Sequence, residues 1–158
     1  MENPFTVSQQ VSEDMIDHNG HMHDAHYNIV FSDAINQFNY QHGLSLDERE
    51  TLNYTLFTVE EHTAYLFELK RCDNYHITIH LYDYNEKSVH FFSIMTNEQG
   101  TIVATNEALM LGINRSTKKT APFPESYAQQ ISTYYDNQQL IDWPKQLGHR
   151  ISISRKGD

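Results

Sequence analysis

Apolar residues change their spacing partway along this chain, and the change divides it into a helical and a sheet-forming part. From Asp24 onward Tyr27, Val30, Phe31, Ala34, Ile35 and Phe38 recur every three or four positions, with Asn28, Ser32, Asn36 and Gln37 largely between them. That spacing predicts one long amphipathic helix. Asp24 suits its N-cap or first turn, and Gly43 after Gln41-His42 suits its stop. About sixteen to eighteen residues at about 1.5 Å each give a rod of roughly 25 Å, enough to cross a small sheet. Ahead of it, Phe5, Val7 and Val11 mark a short first strand, with an irregularity expected near Gln9-Gln10. Residues 44–53 are polar apart from Leu44, Leu46 and Leu52, and read as a loop or as a short helix at Ser45–Arg49.

Beyond Asn53 the period becomes two. Phe57, Val59, Tyr65, Phe67 and Leu69 share one parity; so do Ile77, Ile79 and Leu81, and so do Val103, Thr105, Leu109, Leu111 and Ile113. Val89 to Met95 is apolar on both parities, as a central strand covered on both faces would be. Asp83–Lys87 and Asn97–Gly100 carry turn chemistry at hairpin separations. Residues 54–115 therefore read as four antiparallel strands. Lys118–Pro124 is a linker whose Pro124 suits the first turn of a helix, and Tyr127, Ile131, Tyr134 and Tyr135 give that helix a face up to about Gln139. The remainder is expected to fray, with at most a short strand at Ile151–Ile153. The order predicts an α+β architecture: a long central helix wrapped by an antiparallel sheet of about five strands, plus a C-terminal helix.

Composition narrows the function classes. A chain of 158 residues fits one domain with a real core. Its formal net charge of -10 argues against a nucleic-acid backbone or an anionic membrane as the main partner. Cys72 is the only cysteine, which excludes an internal disulfide and a thiolate-rich metal site. No signal-peptide series opens the chain, and no apolar run nears the roughly 20 residues of a membrane helix. A cytoplasmic protein is expected.

Candidate chemistry concentrates in Asp17-His18-Asn19-Gly20-His21-Met22-His23-Asp24-Ala25-His26-Tyr27, polar residues crowded against the start of the predicted helix. A helix N-terminus favours negative charge, so this stretch suits an anionic ligand or a developing oxyanion. Asp17 before Asn19-Gly20 also suits a plain turn residue. His18, His21, His23 and His26 raise a metal reading, but three of them precede the helix and form no i, i+4 pair; no metal is expected. Glu61 shares the parity of Phe57 and Val59 and would face the core, where a carboxylate needs a partner. His62 points the other way, so the two serve one pocket only across a bulge. Glu107 reads mainly as structural.

Four motifs carry a resemblance to a known family. They are Asp17-His18-Asn19-Gly20-His21-Met22, Glu61-His62 with Tyr65, Ala104-Thr105-Asn106-Glu107, and Pro122-Phe123-Pro124. With them the chain resembles the hotdog-fold acyl-CoA thioesterases of the 4-hydroxybenzoyl-CoA thioesterase type, over roughly residues 5–140. It is most similar to a branch linked to carnitine and betaine metabolism. The resemblance implies a single hotdog domain over residues 1–140 with a C-terminal extension over 141–158. It implies hydrolysis of an acyl-CoA thioester, with Asp17 as nucleophile or general base and Asn19 and His21 orienting it. The backbone N–H near Asp24 would polarise the carbonyl, and Glu61 and His62 are further catalytic candidates. Gly20, His23, Tyr27, Phe31 and Tyr65 are the substrate-binding candidates. Coenzyme A enters as part of the substrate, with no separate cofactor and no metal. The partners implied are the acyl-CoA and a second copy of the chain, as homodimer or homotetramer with sites at the subunit interfaces; nucleic acid and membrane are not. A short quaternary-ammonium acyl group is one substrate candidate, which the abundant aromatics suit. The rival reading is a non-catalytic hotdog protein that binds acyl-CoA or a related ligand. Two positions depart from the branch: His23 stands where Asn is common, and Cys72-Asp73 where Gly-Asp is common.

Overall fold

The computed structural model describes residues 3–155 and Gly157. In chain order it contains strand β1 (Thr6–Gln10), a 3-10 turn (Glu13–Met15), helices α1 (Asp24–Gln41) and α2 (Leu46–Leu52), strands β2 (Tyr54–Tyr65), β3 (Asn74–Tyr84), β4 (Ser88–Asn97) and β5 (Ile102–Asn114), and helix α3 (Glu125–Asn137). The five strands form one antiparallel sheet in the order β1-β3-β4-β5-β2. This is the α+β hotdog architecture expected from the order of elements. Among the described residues no helix is long and apolar enough to cross a membrane.

Helix α1 buries the whole apolar set that its spacing singles out, from Tyr27 to Phe38. Its N-cap is His23 rather than Asp24: the His23 Nδ1 accepts the Ala25 N–H at 3.1 Å, and Asp24 is the first helical residue. At the other end Gly43 takes φ 101°, and the Leu44 N–H returns to the Asn39 carbonyl at 3.1 Å, a left-handed stop that a residue with a Cβ resists. Leu44 is fully buried behind it. Asn39 is the one polar residue on the buried face, and its Oδ1 accepts the Tyr127 hydroxyl at 2.7 Å, tying α1 to α3. Helix α2 is real, with Ser45 and Glu48 forming a capping box.

The sheet face under α1 is built from Ile77, Ile79 and Leu81, from Val89, Phe91 and Met95, and from Ala104, Ala108 and Met110, all buried. On β5 the parity facing the helix is thus the even one, opposite to the Val103–Ile113 set. Leu109 and Leu111 lie half-buried on the outer face. On β2 the register slips between Thr58 and Glu60, leaving Val59 as an extra residue. Before the bulge Leu56 faces inward opposite Gly112; after it Glu61 and Thr63 face inward opposite Ala108 and Asn106. Phe57, ahead of the bulge, and Val59, within it, stay out of the core at 53 and 51 % exposure; Tyr65, inward with Glu61 and Thr63, and Phe67, beyond the strand, remain 48 and 62 % exposed at its end. Strand β1 keeps one register from Thr6–Thr78 to Gln10–Asn74, so the irregularity expected at Gln9-Gln10 is absent. It is an edge strand, where two adjacent polar residues need no bulge to escape the core.

The linker packs against the end of the sheet, with Ala121 N–H on Gly112 O (2.9 Å), Phe123 N–H on Glu86 O (2.8 Å) and Phe123 buried. Pro124 occupies the N-cap of α3 and Glu125 opens the helix. The Gln138 side-chain amide then hydrogen-bonds both the N–H and the carbonyl of Leu81, occupying a stretch of β3 edge that β1 leaves open. From Trp143 to Gly148 the chain docks on the sheet where fraying was expected. Trp143 meets Tyr82, Phe92 and His80 edge-on at 5.2, 5.9 and 6.0 Å, and the Gly148 N–H donates to Glu107 at 2.8 Å. Ile151–Ile153 forms no strand, since no strand edge within the chain pairs with it.

Candidate active site

Residues 17–23 close on themselves before α1 begins. The Gly20 N–H donates to Asp17 O at 3.1 Å and the Asp17 N–H to His21 O at 2.9 Å, while Gly20 takes φ 78°. The flanks are pinned from outside the loop, with Met22 N–H on Leu69 O (2.8 Å) and His23 N–H on Met15 O (2.8 Å). Within this turn one oxygen of Asp17, Oδ1, accepts the Asn19 N–H at 2.8 Å and the His21 N–H at 3.3 Å. Those amides, Asn19's first, hold the carboxyl below the usual carboxylate range, and His18 and His21 add to the effect. Among the described residues no group hydrogen-bonds Oδ2, which leaves that oxygen for a ligand or a water.

A cleft of about 570 Å³ opens beside the loop and brings together Asp17, Asn19, His21, His23, Asp24, Tyr27 and Tyr65. Its floor is the start of α1. Among the described residues no acceptor meets the Asp24 N–H, at the positive end of an 18-residue helix. The Asp24 Oδ1 accepts the Ala25 N–H at 2.8 Å and also stands 3.0 Å from His23 Nδ1. The two rings Tyr27 and Tyr65 meet edge to face at 5.3 Å; the Tyr65 hydroxyl donates to Asp24 O at 3.2 Å, and the Leu69 N–H donates to the Tyr27 oxygen at 3.3 Å. Burial raises the pKa of both phenols, so they act as neutral groups here.

Three lining residues escaped the sequence reading: Leu66, Phe67 and Glu68. Glu68 pairs with His21 Nε2 at 3.2 Å. They follow β2 on the segment that returns past the loop, where the period-two reading carries Phe67 on as a strand core position and so hides its place in the cleft.

Four candidates lie elsewhere. Gly20 shapes the turn without lining the cleft, and Phe31 is fully buried under α1. The Glu61 carboxylate accepts the Asn106 side-chain N–H at 2.7 Å; Asn106 also donates to Thr63 at 2.9 Å, and Thr63 to Asn28 at 2.5 Å. His62 lies on the opposite face, 3.8 Å from a Glu107 oxygen, while the other Glu107 oxygen is 2.8 Å from His90 Nε2. Glu61 faces inward only because the bulge reverses the parity it shares with the outward Phe57 and Val59, and one chain does not carry Glu61 or His62 to Asp17. Glu107, read mainly as structural, meets two histidines and accepts the Gly148 N–H. Among the described residues no three His, Cys, Asp or Glu converge as a metal site.

The arrangement offers a carboxylate with one free oxygen, an unpartnered amide at a helix start, and aromatic walls. That set suits attack on a carbonyl, with the amide taking the charge that develops on its oxygen.

Comparison with known proteins bears on this set. The family model described as the thioesterase-like superfamily matches residues 11–131. A betainyl-CoA thioesterase of Pseudomonas aeruginosa is 25 % identical over 149 residues, covering 94 % of each chain. An L-carnitine dehydrogenase/betainyl-CoA thioesterase of Rhizobium meliloti is 27 % identical over 150 residues; the chain spans 94 % of its own length and 30 % of that larger protein. Among solved structures, a hypothetical Staphylococcus aureus protein in complex with CoA superposes with a TM-score of 0.96 at 55 % identity, covering 98 % of both chains. The chain belongs to the thioesterase-like superfamily.

Proposed function

We propose that the protein hydrolyses an acyl-CoA thioester to a free acid and coenzyme A. The observation that carries the reading is the placement of Asp17, with Oδ2 free, in one cleft with the unpartnered Asp24 N–H. As general base, the Asp17 carboxylate takes a proton from water as the water oxygen adds to the thioester carbonyl. The Asp24 N–H holds the oxyanion. Collapse breaks the C–S bond, and the thiolate leaves with the proton that Asp17 received. Direct attack by Asp17 passes through a mixed anhydride that water then opens, and uses the same groups. Asn19 and His21 orient the carboxylate through their backbone N–H groups. The S. aureus protein of high identity binds CoA, which supports CoA as the carrier; no separate cofactor takes part.

Within this reading the acyl group is short and cationic. Tyr27, Tyr65 and Phe67 give π faces and Asp24 and Glu68 give negative charge in the same cleft, a setting for a quaternary ammonium. Two relatives at 25 and 27 % identity are betainyl-CoA thioesterases by name, which supports the same choice. The working unit is a cytoplasmic homodimer joined along β2, or a homotetramer built from it. Among the described residues twelve-residue β2 pairs only with β5, leaving the other side of its backbone open.

The test is hydrolysis of betainyl-CoA and of its neutral isostere 3,3-dimethylbutyryl-CoA. Asp17→Asn lowers kcat by about 100–10,000-fold. The cation is preferred about tenfold in kcat/KM. The depressed pKa of Asp17 keeps the base ionised through mildly acidic pH, so the acid limb of kcat/KM lies below the ordinary carboxylate value of about 3.9. Full activity in Asp17→Asn overturns the assignment, and tight CoA binding without turnover by the wild type favours the non-catalytic binder.

A further inference from the structure

We infer that the C-terminal segment is a strap that crosses the outer face of the sheet and buries Ile151 and Ile153 in a second copy of the chain docked on the β2 edge. The path of the segment carries the inference. Gln138 fixes its start on β3, and Trp143 sits on His80 and Tyr82 of β3 and on Phe92 of β4. Gly148 is bonded to Glu107 of β5, and residues 148–151 then wall a cleft of about 690 Å³ whose floor includes Glu60, Glu61 and His62 of β2. These anchors follow the strand order β3-β4-β5-β2, so the segment runs across the strands toward the free edge.

Toward that edge the segment turns apolar. Ile151 and Ile153 are 81 and 75 % exposed, in an Ile-Ser-Ile-Ser alternation that matches a strand yet pairs with none among the described residues. The edge itself shows Phe57 and Val59 more than half exposed, beside backbone groups that β5 does not satisfy. Isolated exposed apolar residues need no account, but apolar residues on both sides of an open strand edge mark an interface. A second copy seated antiparallel on β2 presents the same edge in return, so each strap leaves its own sheet where the partner's begins.

Charge points to the same occupant. Residues 141–158 hold four of the eleven Lys and Arg but only two of the 21 Asp and Glu, so a basic strap meets an acidic body.

The inference rests on the dimer proposed above, and the experiment separates the two. Sedimentation equilibrium of the full chain and of the double variant Ile151→Asp/Ile153→Asp measures the dimer dissociation constant. Loss of two apolar anchors per protomer raises it on the order of 100-fold or more. Hydrogen exchange of residues 149–155 in the wild type shows protection in the dimer that disappears on dilution. A monomer at every concentration overturns both the dimer and the strap. A dimer whose dissociation constant is indifferent to the two substitutions, with no protection of residues 149–155, overturns the strap alone. Binding of the wild-type monomer to phosphatidylglycerol vesicles, lost in the double variant, assigns the isoleucines to a lipid surface and overturns the second copy as occupant.

Discussion

A Cβ on Gly112 would stand 1.6 Å from the Tyr54 hydroxyl oxygen and 2.8 Å from the Ala121 carbonyl. The glycine therefore leaves room for the Tyr54 ring to cross β5 and donate to Ala121 at 2.8 Å, fastening the linker to the sheet. Gly112→Ala displaces that ring and breaks its bond, at about 2–4 kcal/mol of stability. Urea unfolding gives the value, and in a Tyr54→Val background the same substitution costs much less. Nothing in the sequence marks this glycine, because the close approach is made by a residue 58 positions away. Asp17 is the opposite case. Its partners lie two and four residues on, so the turn that frees Oδ2 is local and was readable from Asp17-His18-Asn19-Gly20-His21. Cys72 also becomes legible only in three dimensions: it holds φ 68° where the resembled branch carries glycine, which accepts that angle freely.

Helix α1 joins core and site, and its start is where the two demands meet. His23 caps it, but only while Nδ1 lacks a proton and can accept the Ala25 N–H. His23→Ala removes the cap and costs about 0.5–2 kcal/mol, while His23→Ser keeps most of that stability. Thermal unfolding at pH 8 separates the pair. Equal destabilisation by both would show that the imidazole's packing matters and its cap does not. At this scale the sequence was a good guide where periodicity is set by one buried face. The six apolar positions that the spacing singles out on α1 are all buried, and both expected hairpins form. It misled on β2. A period-two reading has no means of sensing the extra Val59, and one residue moves the pattern to the other face. Phe57 and Val59 looked like core and lie at an open edge, and Glu61 reached the interior face only because the register slips.

At the scale of the whole molecule, the extension beyond α3 ties the outer face of the sheet together through the one tryptophan. His80 is buried beneath Trp143 at 6 % exposure, and that burial lowers its pKa by disfavouring the imidazolium. The unfolded chain takes up the proton near pH 6.5 whereas the folded chain resists it. The contribution of His80 to stability is therefore fully present above about pH 6.5, and is lost as pH falls through the depressed folded-state value. Trp143 reports on the same spot, since the sequence holds no other tryptophan to confuse its emission. Titration from pH 8 to pH 5 shifts the Trp143 emission to the red as its seat on His80 loosens, and lowers the urea midpoint in step. His80→Asn removes that part of the acid sensitivity while leaving any contribution from the other histidines. An emission and a midpoint that follow pH equally in wild type and His80→Asn would place the sensitivity elsewhere. The His62–Glu107–His90 group, which holds Gly148 on the same path, is then the next place to look.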